Sequence, residues 1–176
     1  GFLHANLLHL SSNMLGIFIF GRVVEREIGP LRMIGAYFGA LIVSGLFHLI
    51  IYKYIFQQDA AGIGASGALM GLVAMAVLLD PFYLTYELLI PLPIMVVGWL
   101  AIYADIAGIL SNAADGIGHY AHIGGFVSVI FLGLFLNIEQ RRKLKSGLII
   151  NLASLALWMA ISYFLRMKGI FPGAGQ

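Results

Sequence analysis

Three groups of residues have the types and spacing to do chemistry together. Ser66 stands within Gly64-Ala65-Ser66-Gly67, His119 and His122 stand three apart, and His4, His9 and Asn13 open the chain. A serine hydroxyl becomes a nucleophile for acyl transfer when a neighbouring base takes its proton, and His122 is the candidate base. The tetrahedral intermediate then needs donors. The first turn of a helix around Ser66 leaves backbone N–H groups unpaired, and the side chains of His9 and Asn13 can add two more. Gly64 and Gly67 flank the serine and remove bulk where a substrate carbonyl must approach the backbone.

Each of these residues also has a structural reading. Ser66 can cap a helix, and His122 can be a core histidine bonded to a carbonyl. His9 and Asn13 are four apart, within about 40° on one helix face, so they can simply hydrogen-bond between helices. His119 lies about 60° around the helix from His122 and becomes the base if the register differs; His122 is preferred because Gly124 and Gly125 follow it. Asp105 is open as a third member of a triad or as an interfacial packing residue. His48 and Asn151 have no evident partners and are read as structural. His4 and His9 are five apart, about 140° around a helix, which argues against one metal site holding both. Zinc-protease, phosphate-loop and nucleotide-binding motifs are missing, and the lack of cysteine excludes thiolate metal sites and disulfides.

The elements that must position these groups follow from composition. The chain has 176 residues, 61% hydrophobic and 10% charged, with net charge +2 and mean hydropathy +0.96. Those values exclude an ordinary soluble domain and a disordered one. Its few charges form no basic face, so nucleic acid is not an expected partner. Six apolar runs approach or reach the length that crosses a bilayer: residues 5–24, 31–52, 62–79, 88–110, 117–138 and 147–165. All are read as helices, giving an all-α polytopic transmembrane bundle with six predicted spans and the lipid bilayer as its surroundings.

Loop charge sets the expected orientation. Arg22, Arg26, Arg32, Arg141, Arg142, Lys143 and Lys145 fall on one side, against Lys53, Arg166 and Lys168 on the other. The positive-inside rule then turns the N-terminal ends of the first, third and fifth helices outward, bringing Ser66, His122, His9 and Asn13 to similar depth on the extracytoplasmic side. Polar groups at that depth are expected to share a wet cavity. The small residues of the third helix suit the centre of the bundle, and Gly125 lets the fifth pack closely against it. Glycines within residues 111–118 suggest a mobile outer loop over the site.

Four motifs in order resemble the rhomboid intramembrane serine proteases. They are His4-Ala5-Asn6-Leu7-Leu8-His9-Leu10-Ser11-Ser12-Asn13, Glu25 with Gly29, Gly64-Ala65-Ser66-Gly67, and Ala121-His122-Ile123-Gly124-Gly125. The resemblance implies a Ser66–His122 dyad without a third acid, and an oxyanion hole from His9, Asn13 and the Ser66 N–H. It makes His4 structural and Glu25 part of the inner-side scaffold, and it implies transmembrane protein substrates with neither metal nor cofactor. Met70 stands where some relatives place a Tyr against the histidine. The family core has a further helix and a long loop ahead of the first motif, so this sequence is expected to represent the core without them. The expected organisation is a rhomboid-like catalytic bundle over residues 1–138, a basic linker over 139–146, and one extra C-terminal helix and tail over 147–176. Three readings compete with proteolysis: an inactive relative that binds transmembrane helices, a small transporter or channel using the histidines, and a purely structural bundle.

Overall fold

Capping residues mark where the first and last helices begin. Asn6 accepts the His9 N–H on its side-chain oxygen at 2.8 Å and starts α1, Leu7–Ile28. Gly29, at φ 85, closes α1 in a conformation that a residue with a Cβ resists, and Pro30 then opens α2, Pro30–Ile50. Asn137 and Gln140 cap each other's backbone N–H groups at the start of α6, Ile138–Met167. Between these lie α3, Ser66–Leu79, α4, Ile94–Leu110, and α5, His119–Leu132. A π-helical turn, Ile51–Ile55, extends α2, and a 3-10 turn, Gly133–Phe135, extends α5. This computed structural model describes residues 6–58, 65–86, 90–111 and 118–168.

The six helices form the expected helical membrane bundle, with the starts of the third, fourth and sixth displaced most. The fourth run was expected to be helical from residue 88, but α4 begins at Ile94. Proline restricts the residue before it and lacks an N–H, so the Pro91-Leu92-Pro93 stretch stays out of the helix, and Leu92 and Pro93 join a short antiparallel ladder. There β1, Leu84–Thr85, pairs with β2, Leu92–Pro93, and Thr85 Oγ donates to the Leu92 carbonyl at 3.0 Å. The third helix begins at Ser66 rather than residue 62, with residues 59–64 outside the described ones. Residues 139–146, read as a linker, are the opening turns of α6. Neither glycine nor proline interrupts that stretch, and the capping box nucleates it.

Among the described residues three helical segments are long and apolar enough to cross a membrane: Leu7–Ile28, Pro30–Ile55 and Ile138–Met167. The others are shorter, and α3 is the most enclosed. It touches every other helix, and its residues are buried except for Ser66, Met70, Ala74 and Leu78. Those four recur every fourth residue, so α3 keeps one half-exposed stripe, with Ser66 at its N-terminal end. Around α3 the core is apolar, with Val23, Val24, Leu72, Val73, Met75 and Ile94 fully buried.

The last helix is buried the other way round. Its buried residues are Gln140, Gly147 and Asn151, whereas Leu, Ile, Trp and Phe face outward. In water this would be an inverted helix; in lipid it is the expected form, because apolar side chains face acyl chains and small or polar residues make the helix contacts. Asn151 is therefore not partnerless. Its amide nitrogen donates to the carbonyls of Val77 and Gly147 at 3.1 and 2.8 Å, and its oxygen accepts from Trp99 Nε1 at 2.8 Å, joining α6, α3 and α4.

A Cβ at Gly147 would overlap the Leu78 carbonyl, a backbone group that cannot swing aside. Gly147→Ala is therefore expected to move α6 off α3 and cost about 1–3 kcal/mol. Denaturant or thermal unfolding in micelles should show the loss at unchanged helix content; unaltered stability would mean that this contact is looser than the geometry shows.

Candidate active site

Glycine contacts set the register of the helices that carry the candidate residues. A Cβ at Gly16 of α1 would meet Leu69 of α3 at 2.6 Å, and one at Gly21 would meet Leu72 at 3.8 Å, so the two helices run parallel. One turn back from Gly16 and Leu69 are Asn13 and Ser66, which therefore stand at the same level. On the other side a Cβ at Gly67 would meet Ser44 Cβ at 2.8 Å and the Ala121 carbonyl at 3.4 Å. A Cβ at Gly125 would overlap the Gly67 carbonyl and lie 3.0 Å from Met70 Cβ. Thus α3 and α5 meet backbone to backbone one residue away from both Ser66 and His122.

Ser66 occupies the first position of α3, where the first recorded helical bond runs from the Leu69 N–H to the Ala65 carbonyl at 2.9 Å. Its side chain is half-buried. His122 lies in the first turn of α5 and is 6% exposed. Its Nε2 is buried and has no hydrogen-bond partner among the described residues, so no Ser66–His122 Nε2 hydrogen bond is formed. Asn13 is 4% exposed and its amide nitrogen is likewise unpartnered. His9 is half-buried on α1. His4 and Gly64 lie outside the described residues, as do 112–117 of the expected outer loop.

The strongest polar contact of this region involves Asp105. From α4, its Oδ1 sits 2.7 Å from His122 Nδ1 and 2.8 Å from His119 Nδ1, with all three side chains at least nine-tenths buried. An ionised carboxylate only accepts, so in that state each ring carries a proton on Nδ1. Gly108 makes the approach possible: a Cβ there would overlap Nε2 and Cε1 of the His119 ring. The three ligand atoms lie within 4.8 Å of one another, which is the spacing that could hold a divalent cation.

An aromatic group closes this end. His48 lies against Tyr52 at 4.5 Å, and Tyr52 and Phe56 pack edge-on against Tyr120 at 5.8 and 5.3 Å. Both ring nitrogens of His48 are buried and unpartnered among the described residues. The C-terminal end of α2 is thereby fastened to the first turn of α5.

Most of the basic residues gather at the opposite end. Arg26 pairs with Asp80, Lys143 donates to Glu27 at 2.6 Å, and Arg32 to Gln140 at 3.3 Å. Lysine and arginine there thus tie α1, α2, α3 and α6 together. Glu25 is exposed and lines a cavity of about 400 Å³ with Arg22, Arg26, Pro30 and Tyr83. Glu27, which sequence reasoning did not single out, carries the ion pair. Its signal was its place two residues past Glu25, on another helix face.

Sequence spacing brought Ser66, His122 and Asn13 to one level, but it did not foresee one carboxylate oxygen shared by two imidazoles. Their i, i+3 spacing on α5 was the available signal, since it turns both rings to one side.

The fold defines a multi-pass helical membrane protein with a polar cluster near one end of its central helix. A family model described as the Rhomboid domain matches residues 1–139. The chain is 31% identical over 138 residues to RHOMBOID-like protein 12, mitochondrial, of Arabidopsis thaliana, covering 70% of this chain and 41% of that protein. It is 34% identical over 143 residues to RHOMBOID-like protein 6, mitochondrial, of the same plant, covering 79% and 42%. Similarity extends to Rhomboid protein 1, mitochondrial, of Saccharomyces cerevisiae, 28% identical over 149 residues, covering 81% and 42%. No solved structure matches. The chain belongs to the rhomboid family, and it spans less than half the length of these relatives.

Since the Gly125 contact is with backbone, Gly125→Ala should force α5 away from α3. The expected result is a loss of about 1–3 kcal/mol in unfolding stability together with loss of any reactivity that needs Ser66 and His122 side by side. Stability and probe labelling measured on the same sample check both parts.

Proposed function

We propose that the chain is the catalytic bundle of an intramembrane serine endopeptidase that cuts transmembrane segments of other membrane proteins. The observation that carries this reading is the arrangement around Ser66: a half-buried residue at a helix N-terminus, one residue from the α3–α5 glycine contact, with the buried His122 Nε2, unpartnered among the described residues, on the facing helix. In the reaction His122 Nε2 takes the Ser66 proton as Oγ attacks the scissile carbonyl, and it later returns a proton to the leaving amine. Water then releases the acyl group. The developing oxyanion would be met by N–H groups of the first turn of α3, by the unpartnered amide of Asn13, and by His9. Catalytic hydrogen bonds are often unmade before substrate binds, which agrees with the open Ser66–His122 gap.

The partial exposure of Ser66 at the N-terminal end of α3 is consistent with access for a substrate segment, and the family relationship supports peptide-bond chemistry. The basic residues gathered at the far end support an orientation with the site toward the extracytoplasmic side.

The test is labelling by a fluorophosphonate probe in micelles. Wild-type labelling should vanish in Ser66→Ala and in His122→Ala with folding retained. Asn13→Ala should slow labelling by about 100- to 1,000-fold, the usual effect of losing one oxyanion donor. A folded wild type that does not react would favour an inactive relative that binds helices without cutting them.

A further inference from the structure

We infer that Asp105 is a positioning residue that fixes His122 as the Nδ1-protonated tautomer, so that the reacting group is Ser66–His122–Asp105 rather than a pair. This rests on the protease reading. An ionisable side chain in an apolar helix such as α4 carries a large desolvation cost unless it is matched. Asp105 is 4% exposed, its Oδ2 has no hydrogen-bond partner among the described residues, and the compensation the structure shows comes from the two imidazoles on Oδ1.

The consequence for chemistry lies on the far side of the ring. A proton held on Nδ1 by Asp105 leaves the lone pair of neutral His122 on Nε2, the nitrogen with no partner. With the proton on Nε2 instead, the ring could not accept from Ser66. When Ser66 Oγ attacks, its proton passes to Nε2, the Nδ1 proton stays between His122 and Asp105, and the imidazolium faces a fixed negative charge. His119, 2.8 Å from the same oxygen, gives the carboxylate a second partner, so Oδ1 stays held while His122 changes charge. A divalent cation on the same three atoms would exclude this arrangement, because it would take the Nδ1 lone pairs.

The experiment uses the full chain in micelles with a fluorophosphonate probe, in which the Ser66 Oγ–P bond forms, the P–F bond breaks and the hydroxyl proton goes to His122 Nε2. Asp105→Asn should lower the limiting labelling rate by at least about 100-fold while leaving the half-saturating probe concentration within about twofold of wild type. In parallel, ¹⁵N spectra of the histidine rings should show neutral His122 protonated on Nδ1 in the wild type and on Nε2 in the variant. Asp105→Glu, which keeps a carboxylate, should recover part of the rate. An unchanged limiting rate, a wild-type ring protonated on Nε2, or wild-type labelling abolished by a chelator would each overturn the inference. If Asp105→Asn does not fold, the wild-type ring spectrum alone decides. A folded wild type that fails to label sinks the protease reading instead, and the spectrum still tells whether Asp105 holds the proton.

Discussion

The approach of α3 to α5 depends on what is missing from it. At Gly67, Gly71 and Gly125 no side chain separates the two backbones, and the space a Cβ would need is already taken by carbonyls, by Ala40 or by Ser44. Ser66, His119 and His122 are placed by that approach. It fixes the level of Ser66 against His122, and α5 in turn carries the two rings to Asp105. Because the contact is between main chains, it cannot adapt through rotamers. The geometry is therefore stiff between Ser66 and His122, where the proposed chemistry would need it to be.

Around that centre, polarity and burial are distributed as lipid requires. Polar side chains are concentrated between helices or at their ends, and each buried cluster joins elements that hydrophobicity could not distinguish. Asn151 links three helices, Asp105 links two, and the Arg26, Glu27, Asp80 and Lys143 group joins three more contacts at the far end. Since lipid tails solvate leucine as well as another helix does, such directional bonds and small-residue notches decide which faces meet.

Much of this was legible in the sequence. Six apolar runs gave the number of helices, and the accumulation of small residues placed α3 at the centre. Polar residues at matched depth marked Ser66, His122 and Asn13. Boundaries were less legible, since apolar runs do not end where helices end: Pro93 starts α4, and the Asn137 cap starts α6 within a stretch that charge alone made look like a linker. Pair identities were hidden altogether. Asp105 and Asn151 each announced only that a polar group in an apolar span needs a partner; which partner depends on helix rotation, which a single sequence does not encode locally.

The way α6 is held has a consequence of its own. It meets α3 through a notch at Gly147 and a hydrogen bond from Asn151 to the Val77 carbonyl, and α4 through the Trp99–Asn151 bond, while its apolar surface is turned to the surroundings. Its attachment thus depends on how dry those surroundings are. Acyl chains offer Asn151 no competing donor or acceptor, whereas water does, so this joint tightens in a thick, well-ordered bilayer and loosens where solvent seeps between helices. The same protein would therefore be a firmer object in one membrane than in another, without any change in its own contacts.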